Sequence, residues 1–413
     1  MFRIMSLFNK DVHIFYKSMK QLKLPADQLF IHDDELCPCG SGKLFMDCCK
    51  NKPDDGPIIS PKPPEVIIME RMRKSIRKRV SCLHPDQSCC KGNIKEAHAL
   101  QNNKILSLLA GSDNHVMMQD HTKQPIVLGN DTMNTHVVVP FSRVSRNKAT
   151  TQNCFCDLHD TELFKPIEAG APDFDPNNAE MKFFYAYKSF IFEYAKHLQL
   201  MSVIKEVFTE RPNVFSHPEM VKEYRIQCMR MDEFEPVKKH FDSEILSGTY
   251  NGVETCVVTI PYRIGFANYA YIAPDYDLNG ELIESIDSNG KMHRLSITVF
   301  PEKTHSFIIL SCLSSETSIF QKFLKQIKTS DNDKVLFYFN LLLPLFSENL
   351  VLSEKLWNLH SEKGQFGLVY MANLIGNEQF KMSYTIGMML RNAAKKKKAD
   401  YSMRGEIDLF RKV

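Results

Sequence analysis

The spacing of apolar positions along the 413 residues changes character several times. Residues 1–34 place Phe15, Met19, Leu22 and Leu24 on one side of a helical pattern, which Pro25 interrupts. Residues 66–80, VIIMERMRKSIRKRV, predict a basic amphipathic helix. From 181 to about 207 the run MKFFYAYKSFIFEYAKHLQLMSVIKEV predicts a long helix with broad apolar faces, and a second helix is expected over 218–231. The aromatic group Phe183, Phe184, Tyr185, Tyr187 and Phe190 falls at helical spacing and reads as core rather than as a base-stacking surface. Next come β-branched segments at 255–262, 269–273, 295–300 and 306–312, which predict an antiparallel meander of four to six strands. Asn251-Gly252, Asn279-Gly280 and Asn289-Gly290 supply turn signals, because Asn-Gly accepts the positive φ angles of tight hairpins. Helical patterns return near 316–328, 333–347, 365–376 and 383–398.

Composition adds limits. The chain is 43% hydrophobic and 24% charged, which is globular, and its net charge of +3 is too small to define a partner. Two basic runs, 71–79 and 395–398, fit phosphate or acidic partners, but each taken singly reads first as a solvated helix face. No stretch reaches the ~18 apolar residues of a membrane span, and MFRIMSLFNK has no cleavage signal. A cytoplasmic protein with reduced thiols and no membrane partner is therefore expected. Against that background the twelve cysteines are informative, because nine fall before residue 157 and come in close groups. Close pairs separated by loops are what chelation needs, since one turn can give two ligands to one ion. Cys228, Cys256 and Cys312 stand alone among apolar residues and read as buried small hydrophobes.

Residues 37–50 read CPCGSGKLFMDCCK. Cys37, Cys39, Cys48 and Cys49 offer four thiolates, a closed tetrahedral set for structural Zn²⁺. Gly40 and Gly42 permit the sharp return of the chain and free N–H groups for the sulfurs. The Gly-Ser-Gly-Lys sequence is no phosphate loop: the upstream glycine is missing and Leu44 replaces the Mg²⁺-binding hydroxyl. The stretch resembles the SEC-C motif, known from the C-terminal tail of the SecA translocation ATPase and from many bacterial proteins. That resemblance implies zinc and docking onto another macromolecule.

A second cluster is spread over 81–168. Cys82, with Cys90 or Cys89, makes one pair, and Cys156 with His159 in NCFCDLHDTELFKPIE makes another. Two such pairs across a long insertion are the ligand pattern of a treble-clef zinc fold, with a hairpin giving the first pair and a helix start the second. Asp160 and Glu162 would sit at that helix's positive end. His98 lies between the halves, in IKEAHALQNN.

This arrangement resembles the zinc-stapled form of the HNH nuclease family, and the Ala97-His98 and FC-x-x-HD-x-x-LF-x-PIE segments resemble an uncharacterised bacterial family that carries SEC-C motifs. In the nuclease comparison His98 takes the place of the general base that activates water. Asp160 stands where the last metal-binding histidine would be, and a carboxylate suits Mg²⁺ or Mn²⁺. Asn153 lies several residues from the position of the family's middle asparagine. Ala97 replaces the acid before the base, with Glu96 one residue earlier, and the insertion is long.

The expected fold class is α+β: a small zinc knuckle and a zinc-stapled treble-clef module, followed by a helical and antiparallel-sheet C-terminal region. The expected divisions are 1–50 (helix and knuckle), 51–65 (NKPDDGPIISPKPPE, a stiff Pro-rich linker), 66–175 (treble-clef module) and 176–413 (α+β domain). Two functions compete. One is an HNH-like, metal-dependent nuclease acting on DNA or RNA, of the kind used in phage defence or as a toxin, whose C-terminal region senses a trigger or forms a homo-oligomer. The other is a non-catalytic zinc module that docks on a ribosome, a nucleic acid or a protein. Residues 275–280 imitate the start of an EF-hand loop, but Ile286 stands where its bidentate Glu is needed, so a hairpin turn is expected there.

Overall fold

A computed structural model describes residues 25–52, 70–71, 74, 81–90, 93–128, 136–168, 170–210, 216–396, 401 and 406–413. The expected helix before Pro25, nearly all of the Pro-rich linker and most of the basic 66–80 segment lie outside them. The fold class is α+β, built of helices and antiparallel sheets with a cysteine cluster near the N-terminus. No helix among the described residues is long and apolar enough to cross a membrane.

The chain divides into two compact units. The first holds, among the described residues, 25–52 together with 201–210 and 216–230. Its centre is a knuckle in which Leu36 bridges Leu44. The Arg225 guanidinium fixes the segment before the knuckle, donating to the Phe30 carbonyl at 3.0 Å and pairing with Glu35 at 2.6 Å. Phe208 and Tyr224 meet edge to face, with ring centroids 5.6 Å apart.

The second unit holds the described residues of 65–200 and 231–413. Its strands are β1 (Ile94–His98), β2 (His115–Gln119), β3 (Ile126–Leu128), β4 (His136–Val138), β5 (Phe141–Ser145), β6 (Thr151–Cys156), β7 (Val253–Ile260), β8 (Phe266–Ile272), β9 (Leu295–Pro301), β10 (Ser306–Leu313) and β11 (Val351–Leu352). The helices used below are α1 (Asp157–Leu163), α2 (Ala179–Glu210), α3 (Pro218–Ser247), α4 (Thr317–Thr329) and α5 (Asn332–Phe346); α2 and α3 each run through both units. A seven-stranded sheet has the order β5-β2-β11-β8-β9-β10-β7, and β1 pairs separately with β6.

Strand β10 is buried at every position, because both faces of the sheet are covered. Phe307, Ile309 and Leu313 pack with Phe183, Phe184, Tyr187, Phe190, Phe234 and Phe241 from the long helices. Ile308, Leu310 and Cys312 face the other way, toward Phe320, Phe323, Leu324 and Leu336 of α4 and α5. The expected aromatic core at 183–190 is therefore in place, each ring contributing ~1.5–3 kcal/mol by burial. Polar residues of β9 that face α2 are satisfied there: Ser296 donates to the Ala186 carbonyl at 3.0 Å and Thr298 meets Ser189 at 2.8 Å.

Three expectations need correction. The four C-terminal strands exist, but not as a simple meander, because β7 pairs with β10 across the edge of the sheet rather than with β8. Asn279-Gly280 and Asn289-Gly290 make two small turns inside the β8–β9 connection, with glycine φ angles of 77° and 81°. The Asp277 and Asp287 carboxylates each accept two backbone N–H groups across them. At the third pair it is Tyr250, not Gly252, that takes a positive φ. Lastly, the boundary expected at 175 runs through the second unit, because β11 joins β2 of the insertion to β8 of the C-terminal region.

Candidate metal centres

The knuckle is a short chain reversal. Gly40 and Gly42 hold φ angles of 78° and 75°, open to glycine without strain. Gly40 N–H donates to the Cys37 carbonyl at 3.0 Å, and Cys37 N–H donates to Lys43 at 2.8 Å. Cys48 N–H returns to the Phe45 carbonyl at 3.1 Å, and Cys49 opens a short 3-10 turn. These bonds converge the four sulfurs: Cys39 and Cys48 are 3.6 Å apart, Cys48 and Cys49 3.9 Å, and all four lie within 4.8 Å of one another. A zinc ion with bonds of ~2.3 Å wants sulfurs ~3.8 Å apart, so the set fits it.

Burial raises the Cys37 and Cys49 thiols. Burial works on Cys39 in the same sense, but the Ser41 hydroxyl and N–H and the neighbouring thiols outweigh it and bring Cys39 down to about 6. One thiolate is thus ready-made, while Cys37 and Cys49 wait for a cation.

The second centre is assembled across the sequence. Leu83 N–H donates to the Cys154 carbonyl at 2.8 Å and pins the 81–90 loop to β6. Gln87 Nε2 donates to the Cys82 carbonyl at 2.9 Å and closes that loop on itself. The β1–β6 ladder sets Ile94 opposite Cys156, at the strand end where α1 begins. His159 Nδ1 then lies 3.3 Å from Cys82 Sγ, 3.5 Å from Cys90 Sγ and 3.3 Å from Cys156 Sγ. Tetrahedral zinc with these ligand types asks for ~3.5 Å. The convergence on Nδ1 makes it the nitrogen that could ligate a metal ion here. Partial burial and the Cys82 and Cys156 thiols push Cys90 up to about 12. Burial lowers His159, which keeps its lone pair free at neutral pH. Cys89, left open in the sequence, is exposed beside Asp86 and outside the cluster; Cys154 is buried and also outside it. His84, which no ligand argument needed, stacks on His159 with ring centroids 3.8 Å apart.

His98 ends β1, half-buried, with Nε2 3.3 Å from the Arg146 carbonyl. A carbonyl only accepts, so Nε2 carries the proton and Nδ1 keeps the lone pair. Burial first, then the Lys188 cation, lowers the His98 pKa; the Arg146 carbonyl and Glu168 oppose them. Asp160 sits in the first turn of α1 with its carboxylate 3.6 Å from Lys95 Nζ. Burial raises Asp160, against the pull of Lys188 and Lys95. The same Lys95, Glu168 and Lys188 therefore act on both His98 and Asp160. Lys188 is almost fully buried, ion-paired with Glu168, its ammonium 4.5 Å above the Phe164 ring. Sequence reasoning passed over Lys188, though a lone cation inside FFYAYKSFIF was a usable signal. Asn153 stands opposite Glu96 in the ladder, and Glu96 is paired with Lys148 at 2.5 Å. His115 opens β2 beside Asp113 and belongs to neither cluster.

Both groups can hold zinc. Residues 35–51 match the model of the SEC-C motif. No curated protein and no solved structure matches the chain significantly.

Proposed function

We propose that the second centre staples a treble-clef, HNH-like module that cleaves DNA or RNA with a bound Mg²⁺ or Mn²⁺ ion. The observation that carries this is the placement of His98 and Asp160. An antiparallel strand pair, β1 with β6, runs into α1; the base candidate stands on the first strand, the carboxylate on the helix, and both feel the same three charges.

His98 fits the role of general base because its neutral form is favoured and one nitrogen is occupied by a carbonyl. The free Nδ1 would take the proton of a water attacking phosphorus. Asp160 would help hold the divalent ion, which supplies charge neutralisation at the phosphate. The Cys82, Cys90, Cys156 and His159 set stays structural, since its four ligands fill the tetrahedron. In this reading the SEC-C knuckle docks the enzyme on a ribosome, a nucleic acid or a protein partner. The exposed Leu36, Leu44 and Met46 of the knuckle support that part.

The test is cleavage of single- and double-stranded DNA and RNA by zinc-loaded protein with added Mg²⁺ or Mn²⁺. His98→Ala should lower the rate by ~10²–10⁴-fold, with zinc content and melting temperature unchanged. A wild-type protein that cuts none of these with either ion leaves the docking function alone standing.

A further inference from the structure

The strand end that carries His98 is laced to its surroundings by one side chain. Arg146 directly follows β5, and its carbonyl is the group that meets His98 Nε2. Its own N–H donates to the Asn114 carbonyl at 2.9 Å, and its Nε donates to Asn114 Oδ1 at 3.1 Å. Its Nη1 donates to the Asn102 carbonyl at 3.0 Å and to Asn103 Oδ1 at 3.3 Å. Asn114 holds a φ of 60°, and its N–H closes a turn onto Gly111 at 3.0 Å. Asn102 Nδ2 adds a bond to Asn147 Oδ1 at 2.9 Å.

Three chain segments thus meet on one guanidinium: the turn after β1, the turn before β2 and the end of β5. All these partners are amide oxygens, so the planar fork acts here as a brace rather than as half of an ion pair. A lysine has the charge but a single nitrogen, and cannot reach Asn102, Asn103 and Asn114 together.

We propose that Arg146 is the positioning residue of the His98 pocket. Its guanidinium holds the 102–103 and 111–114 turns against the end of β5. That keeps its own carbonyl on Nε2 and leaves Nδ1 as the proton acceptor. The consequence for cleavage rests on the nuclease function proposed above; the consequence for the imidazole ring does not. Without the brace the carbonyl moves off the ring, and His98 exchanges between its two neutral tautomers.

The experiment reads the ring directly, in full-length zinc-loaded protein labelled with ¹⁵N-histidine. His98 signals are assigned with His98→Gln, and zinc content and thermal melts confirm that each variant folds. Wild type at pH 7.5 is expected to show one tautomer, protonated at Nε2. Arg146→Ala and Arg146→Lys are expected to show both, and any cleavage rate should fall roughly 10- to 100-fold, with KM little changed. The acid limb of that rate should also move to lower pH, because the carbonyl bond favours the protonated ring. A folded Arg146→Ala that keeps the pure Nε2–H tautomer overturns the proposal. Should Arg146→Ala not fold, the milder Arg146→Lys decides by the same criterion. If wild type cleaves nothing, the nuclease function falls, while the ring signals still decide on Arg146.

Discussion

The knuckle at 37–49 draws four sulfurs from one short loop, whereas the second centre draws Cys82 and His159 from positions 77 residues apart. In the knuckle two glycine turns and a few backbone bonds bring the ligands together, so little chain entropy is lost in closing it. The second centre closes a long insertion, and its ligands meet only if β1 and β6 pair in register. The difference teaches what each ion can organise. One in the knuckle orders its own loop. One in the second centre fixes the strand that bears His98 and the helix that bears Asp160.

The strongest way to break that comparison is to remove one ligand from each centre. Structural zinc contributes on the order of 10 kcal/mol to a small site, comparable with the whole stability of a domain. Cys156→Ser should therefore lose one zinc per chain, unfold the β1–β6 strand pair and lower the main thermal transition. Cys39→Ser should lose one zinc and leave that transition within a degree or two. Elemental analysis with calorimetry checks both. If each variant retains two zinc ions, the assignment of the centres fails; if both lower the main transition equally, the contrast between them does.

The same contrast explains what was legible in the sequence. Dense local spacing announced the knuckle, because Cys37-Pro38-Cys39-Gly40 and Cys48-Cys49 encode the turn and the ligands together. Cys156 and His159 were equally plain, one turn apart at a helix start. Cys89 against Cys90 was not, since adjacent cysteines differ only in which way the loop closure by Gln87 points them. The helices at 179–210 and 317–346 followed from their periodicity. The pairing of β7 with β10, and the entry of β2 and β5 into the C-terminal sheet, were hidden because strand order depends on contacts that no local pattern carries. Arg146 was missed for the same reason, since it meets His98 from a distant segment; Lys188 was not hidden in this way, since it stands as a lone cation in an apolar run.

Lys188 sharpens the comparison on the side of the second centre. Lys188→Met removes a buried cation and leaves Glu168 without it. Because the glutamate side chain is about a third exposed, the expected loss is reduced to ~1–3 kcal/mol. The variant should also raise the His98 pKa, since the cation that disfavours imidazolium is gone. Urea unfolding and a histidine titration followed by NMR measure the two effects. An unchanged His98 titration in a folded variant would show that Lys188 does not reach the pocket.

A smaller effect separates the centres by pH. Metal-free Cys37, Cys49 and Cys90 hold their protons at neutral pH, Cys90 up to about 12. Zinc binding must displace those protons, so uptake should release acid and weaken as pH falls. Cys39, near 6, gives the knuckle one ligand that needs no such displacement at pH 7.5. Zinc transfer to a coloured chelator at pH 7.5 and 6 should therefore be faster at pH 6 in wild type. Cys39→Ser and Cys156→Ser each leave one centre to be followed alone. Equal transfer at the two pH values would contradict the thiol assignments.

The smallest effect lies in the linkage between His98 and folding. Its folded pKa is below the ordinary ~6.5 of histidine, so between those two values the unfolded chain binds more protons than the folded one. Stability from keeping the ring neutral is then full above about pH 6.5 and is lost as pH falls from there through the folded pKa. His98→Gln removes that dependence while keeping an N–H that can reach the Arg146 carbonyl. Wild type should thus lose more stability than His98→Gln on going from pH 7.5 to pH 5.5. Taking the difference between the two proteins cancels the acid sensitivity of the zinc ligands, which they share. Parallel curves for the two would mean that His98 titrates as it does in the unfolded chain. The burial and Lys188 charge described around it would then have no hold on its proton.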